Sequence, residues 1–498
     1  MKESHLSCPL RTGLRYGIAA TALLAICASP AAAFAIAFAS DVFPQKPQVA
    51  PGEGLEVQYF LNEPADSVVI ELADNGTTAA TFSGPTAEGL NKVLWNGRAD
   101  NAAGPVVSNG TWRIFITATK TRFDWTEIAS QRSLAAKGPS AHYSQVFSPF
   151  ATNDCIAVPF QDSPLYGKII ATVSIGSTKT YGGFLFQPNL KLFSSSGQIS
   201  GRTWVPPSSV SGDSGFEGVA LDPVTKNDIY FSGQSSPRFM GGQLDSPMTA
   251  GQADPFNMAG TAGFRSVVIR AEADGKYAYL VGADSKIRKA LFHHMETHRL
   301  TSSTVLADFG TTETFLKGLA FDDDGNLYLV SRYADSNSST GGKLFRWNKE
   351  KVDNASVESL DPLTASNADW QISMPDTIIN ISGPVVTPDG NVYFASAVGM
   401  NPGIYHAGHA STPSVNKIAS LADRVVSFDT VGTPAMRWDG SPRYFNLASD
   451  AAGNLIAVDR ATEQIRIFAP PGTTSRTTRS VTAATITVTS SVSDWALY

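Results

Sequence analysis

The chain has 498 residues, among them 42 Gly and 29 Pro, and only 16% are charged, which is the composition of a β-rich, loop-rich globular protein. That length accommodates two or three domains, or one repeat array with an extra module. A formal net charge of −6 supplies no attraction to nucleic acid or anionic lipid, so no nucleic-acid partner is expected.

Residues 1–39 read as a secretory signal peptide. Lys2, Arg11 and Arg15 precede an apolar run from Gly17 to Ala28, and Ala-x-Ala cleavage patterns follow at Ala31/Ala33 and Ala37/Ala39. The run is too short for a durable membrane span. Leu24-Ala25-Ile26-Cys27 resembles a lipoprotein box, although Ile26 is larger than that pattern accepts before its Cys. Cys8 and Cys27 lie in this leader, which leaves Cys155 as the single mature cysteine and permits no internal disulfide. Cys155 opens an apolar strand and is expected to be buried and inert. No second long apolar run follows, so no transmembrane span is expected in the mature chain. Its expected location is secreted, periplasmic or at the cell surface.

Residues 41–122 form a first unit of short strands. GLEVQYFL and SVVIEL alternate in hydropathy, and ADNGTTAATF is a hairpin through Asn75-Gly76. A strand ending in Trp95, a polar loop, a Gly turn and the strand TWRIFITATK complete a pattern that suggests a β-sandwich. These residues resemble the immunoglobulin-like domain first named from the flagellar hook-capping protein. Asp74, Gly76, Trp95, Gly97, Arg98, Asp100, Gly104, Gly110 and Trp112 match its pattern, and Asn96 stands where Asp is usual. Such modules occur in many exported bacterial proteins, so the resemblance implies no flagellar role. Trp95 is expected in the sandwich core, with a sugar-binding platform as the alternative.

Residues 123–150 read as a linker with a possible closing strand in WTEIASQRS. From residue 151 to 498 a meander recurs, cleanest in FLKGLAFDDDGNLYLVSRYADSNSSTGGKLFRWN. Its first strands stack as DCIAV, EGVAL, RSVVI, KGLAF, SGPVV and FNLAS, and each leads through a turn to a second apolar strand. A meander cannot bury both faces alone, so it needs neighbours of its own kind. The turns DDDGN, PDGN and AAGN resemble those of NHL and gluconolactonase-like propellers. The expected fold is therefore all-β: an immunoglobulin-like sandwich followed by a six-bladed β-propeller, with five or seven blades as alternatives. VTAATITVTSS is expected as a late outer strand that competes with WTEIASQRS to close the ring, unless the two serve different blades.

In a propeller the residues at the start of each innermost strand converge at one channel mouth. The six repeats place Asp154, Glu217, Arg265, Lys317, Ser382 and, one residue later, Asn446 there. Glu217, Asp154 and Asn446 are hard oxygen donors of the kind Ca²⁺ prefers. The gluconolactonase resemblance implies a divalent metal that activates water, with Glu217 most like the family's metal-binding Glu. Arg265 and Lys317 put positive charge where that ion would sit, so a ring of compensating ion pairs is the rival expectation. Ca²⁺ is thus the one cofactor the donors suggest, and no catalytic residue is assigned. His293, His294, Glu296 and His298 in HHMETH lack the His-Glu-x-x-His spacing of a zinc helix, and GDSG at 212–215 lacks a protease context.

The function expected is binding to a protein or polysaccharide at the cell envelope or outside the cell. A metal-dependent hydrolase or lactonase at the channel mouth is one alternative, and a structural or carbohydrate-adhesion module is the other.

Overall fold

The computed structural model describes residues 37–132, 152–175, 180–190, 216–233, 238–244, 256–257, 263–293, 300–310, 316–332, 341–398, 403–409, 412–419, 446–450, 452–459 and 464–490. Most of the expected signal peptide, the GDSG stretch and His294 to His298 lie outside them. The regular secondary structure of the described residues is nearly all strand, almost entirely in antiparallel pairs. None of their helices is long and apolar enough to cross a membrane.

Among the described residues, six sheets follow the repeat. Their first strands are Thr152–Ala157, Phe216–Leu221, Phe264–Glu272, Leu316–Phe321, Ile379–Val386 and Asn446–Ser449. Each pairs antiparallel with the strand after its turn, and that strand pairs with a third. The third strand of the second repeat, obscure in sequence, is Arg238–Gln243.

The second strands explain how the sheets stack. Leu327–Ser331 is buried throughout rather than at alternate positions. Successive side chains point to opposite faces, and each face meets a different neighbour. Leu327 and Leu329 pack with Tyr279, Val281 and Ile287 of the third sheet. Tyr328 and Val330 pack with Ile381, Val392 and Phe394 of the fifth. The rule repeats at every junction, and the last cluster joins Ile456 and Val458 of the sixth sheet to Cys155, Ile169 and Ala171 of the first. The first strands likewise contact one another in a closed cycle. This is a propeller-like, all-β architecture.

The D-x-x-G-N turns lock the first strand to the second. Asp322 accepts from the Asn326 amide and from Asn326 Nδ2, each at 2.8 Å, and Asp450 binds Asn454 in the same way. Gly325 sits at φ +89°, a conformation that L side chains rarely adopt.

The N-terminal region is a module of two sheets over one core. One sheet holds Ala39–Pro44, Leu55–Leu61 and Gly89–Trp95, and the other is built on Ser67–Asp74, Thr77–Ser83 and Gly110–Arg122. Trp95 is fully buried among Val57, Tyr59, Ile70, Ile114 and Ile116, as the core placement requires, and its Nε1 donates to the Arg98 carbonyl at 2.7 Å.

Two expectations about the chain ends are resolved by pairing. Thr126–Arg132, from WTEIASQRS, is the outer strand of the sixth sheet, against Gln464–Ala469. Thr485–Val488, expected as an outer strand of the repeats, instead pairs with Gly110–Arg122, as does Gly472–Arg479. The repeat region expected over 151–498 is corrected accordingly: residues 472–488 complete the N-terminal module. The reason is burial, since Ile486 and Val488 alternate into that module's core.

Candidate functional site

Five of the six expected residues lie within the first three positions of a first strand, whereas Ser382 lies midway along Ile379–Val386, and a local device presents four of them. Glu217, Arg265 and Lys317 are each the extra residue of a β-bulge, skipped by the register between first and second strands. Asn153 and Asp154 together oppose Thr172 in the first sheet. A bulge frees a residue from the pleat's alternation and re-aims its side chain. It also strands backbone groups. Thr172 Oγ1 restores them for Asp154, accepting from its amide at 3.0 Å and donating to its carbonyl at 3.2 Å. Ser232 and Ser331 stand opposite the bulges of the second and fourth sheets and are fully buried.

The bulged side chains meet across the ring. Lys317 Nζ donates to Glu217 Oε2 at 2.9 Å, joining the fourth sheet to the second, and both side chains are no more than 5% exposed. Asp154 links three sheets: its Oδ1 accepts from Asn446 Nδ2 at 2.8 Å and from the Cys155 amide at 2.9 Å, and its Oδ2 accepts from the Val219 amide at 2.9 Å. Arg265 is half-buried and donates to the Leu316 carbonyl at 3.3 Å. Ser382 is fully buried, and its Oγ has no hydrogen-bond partner among the described residues. The structure thus joins Asp154 to Asn446 and Glu217 to Lys317, in keeping with compensating ion pairs. Among the described residues no cluster of three or more His, Cys, Asp or Glu could hold a metal ion.

Asp154 is half-buried, with its remaining exposure toward the central channel. Burial dominates and pushes its carboxyl up to about 7, against the downward pull of the Val219 and Cys155 amides and the charge of Lys317. The Cys155 thiol is also pushed well up, first by burial and then by the Asp154 charge, which keeps it inert.

A cavity of about 660 Å³ runs along the first strands. It begins at Asp154 and Asn446 and reaches Asp322, Asp323, Asp324, Thr387 and Asp450 in the turns at the other strand ends. Five or six residues of strand make that path roughly 15–20 Å long. Between the ends the wall is apolar, with Val219, Val267, Leu319, Val385 and Leu447. Gly318 allows the fourth and fifth sheets to approach, because a Cβ there would stand 1.8 Å from the Gly383 carbonyl oxygen.

The turn-end carboxylates were not among the expected site residues. Asp322 and Asp450 are legible in sequence as the residue directly after their first strands, but the D-x-x-G-N pattern explains them equally well as turn formers. Asp450 does both, since it holds its turn and is pushed up to about 6 by burial.

No protein-family model matches the chain, and no curated protein matches it in sequence. Among solved structures, that of a luciferin-regenerating enzyme is similar over 49% of this chain and 68% of its own, with 16% identity and a TM-score of 0.30.

Proposed function

We propose that this chain is an exported bacterial binding protein, in which a hook-cap-type immunoglobulin-like sandwich carries a six-bladed propeller that holds a small ligand in its axial channel. The carrying observation is the 660 Å³ channel, apolar along its wall and polar at both ends. That volume and lining suit an organic molecule rather than a bare ion. The cyclic set of inter-sheet clusters and the outer strand Thr126–Arg132 support the blade count and the closure. The Trp95–Gly104 loop supports the sandwich resemblance: Asp100 accepts from the Ala102 and Gly104 amides, and Arg98 reaches the Gly104 carbonyl.

Neither alternative draws comparable support. A metal at Glu217 would have to displace the Lys317 ammonium from a buried pair. Trp95 is buried and offers no platform to a sugar.

Binding of the neutral dye Nile red to the mature chain tests the reading. One molecule per chain should bind, and Leu319→Trp, which fills the channel, should abolish the fluorescence gain without unfolding the protein. Dye binding untouched by Leu319→Trp would place the ligand elsewhere and overturn the channel reading.

A further inference from the structure

The polarity of the channel's lining goes further than its volume. Its lining includes five carboxyl groups, Asp154, Asp322, Asp323, Asp324 and Asp450, while no Lys, Arg or His lines it among the described residues. The basic residues at the Asp154 end are engaged outside the lining: Lys317 donates to Glu217 and Arg265 to the Leu316 carbonyl. Resting on the channel-binding reading above, we propose that the ligand is an organic cation, a protonated or quaternary amine on an apolar body, with its nitrogen held at Asp154.

Three features carry this. Asp154 Oδ2 accepts a single hydrogen bond among the described residues, from Val219, so an acceptor position remains for a ligand donor. Asp322 and Asp450 are clamped by neutral amide donors, which orient the carboxylates without cancelling their charge. Asp323 and Asp324 are exposed at the turn end, where fixed charges over low-dielectric walls raise the local concentration of cations. An anionic head group would meet all five carboxyls with no counter-ion in the lining. A divalent metal would need several oxygens grouped at one point, and among the described residues no cluster of three or more His, Cys, Asp or Glu is arranged to hold one. The raised Asp154 carboxyl fits the same picture, because an adjacent cation favours its ionised form and binding then releases a proton.

Calorimetric titration of the full mature chain with octylammonium, octanol and octanoate separates the possibilities. Octylammonium should bind about tenfold or more tightly than either counterpart, which corresponds to about 1.4 kcal/mol. Its affinity should rise between pH 6 and 8, with protons released on binding. Asp154→Asn should remove most of the charge preference while octanol binding persists. The exposed double variant Asp323→Asn/Asp324→Asn, which touches no buried group, should slow association and flatten its salt dependence. Octanol or octanoate binding as well as octylammonium would overturn the ligand class and leave the channel reading standing. Failure of all three together with Nile red would overturn the channel reading itself.

Discussion

Two charged features at the Asp154 end of the channel carry opposite lessons, the Glu217–Lys317 pair and Asp154 itself. Glu217 and Lys317 form a buried ion pair, which costs desolvation for both partners and is intact only while both remain. Lys317→Met alone should therefore lower stability by about 3–5 kcal/mol, and adding Glu217→Gln should recover part of that loss. Urea denaturation of the two single variants and the double variant measures the coupling, and additive losses would show that the pair does not act as a unit. Asp154 is held instead by neutral donors and by the more distant Lys317 charge, which do not offset its burial. Its folded carboxyl lies near 7 against an ordinary value of 3.8, so the native state binds more protons than the unfolded state between those values. Stability should consequently fall as pH rises from about 4 to 7 and then level off, and Asp154→Asn should flatten that slope. Carboxyl-carbon NMR should find an Asp signal that titrates near neutrality in the wild type and is missing from the variant.

At the scale of elements, the bulges and the chain ends decide what the strands do. Strand Thr485–Val488 closes the N-terminal module, so Ile486→Ala should cost about 2–4 kcal/mol there, as a buried methylene deletion does. Were Ile486 instead an exposed residue on a propeller edge, the loss in urea denaturation would be small. The first strand bears on export. Phe38 packs on Tyr166, its amide donates to Asn62 Oδ1 at 2.8 Å, and Ala39 pairs with Leu61. Cleavage after Ala39 would remove Phe38 from this contact, whereas cleavage after Ala33 leaves it whole. Under the proposed export, N-terminal sequencing of the processed chain should accordingly read from Phe34, and a start at Ser40 would show that the Phe38–Tyr166 contact is absent from the processed chain.

At the scale of the molecule, the chain crosses between its two parts twice. The N-terminal module hands over to the outer strand of the sixth sheet, the six sheets follow, and residues 472–488 return to the module. Side chains reinforce the junction. Arg113 and Arg479 both reach Asp162, and the buried Lys168 pairs with Asp41. Neither part holds all its strands without the other's segment of chain. Calorimetry should therefore show one cooperative unfolding transition, and residues 37–124 expressed alone should not fold. Two resolved transitions would mean that the parts are independent.

The sequence by itself determined the strands, their turns and their repetition. Each depends on local physics: alternation of side chains, Asp and Gly in turns, and apolar runs too short to be helices. It also placed Asp154, Glu217, Lys317 and Asn446 at one end, because stacking the repeats aligns their register. Only the tertiary structure decided which of these residues pair, since Glu217 and Lys317 lie 100 residues apart and meet through bulges that hydropathy does not encode. The destination of the last strand was likewise undetermined, because Thr485–Val488 alternates equally well for any sheet with an apolar face to complete. The acidic, apolar-walled channel emerges when six strands, each unremarkable alone, turn one edge toward a common axis.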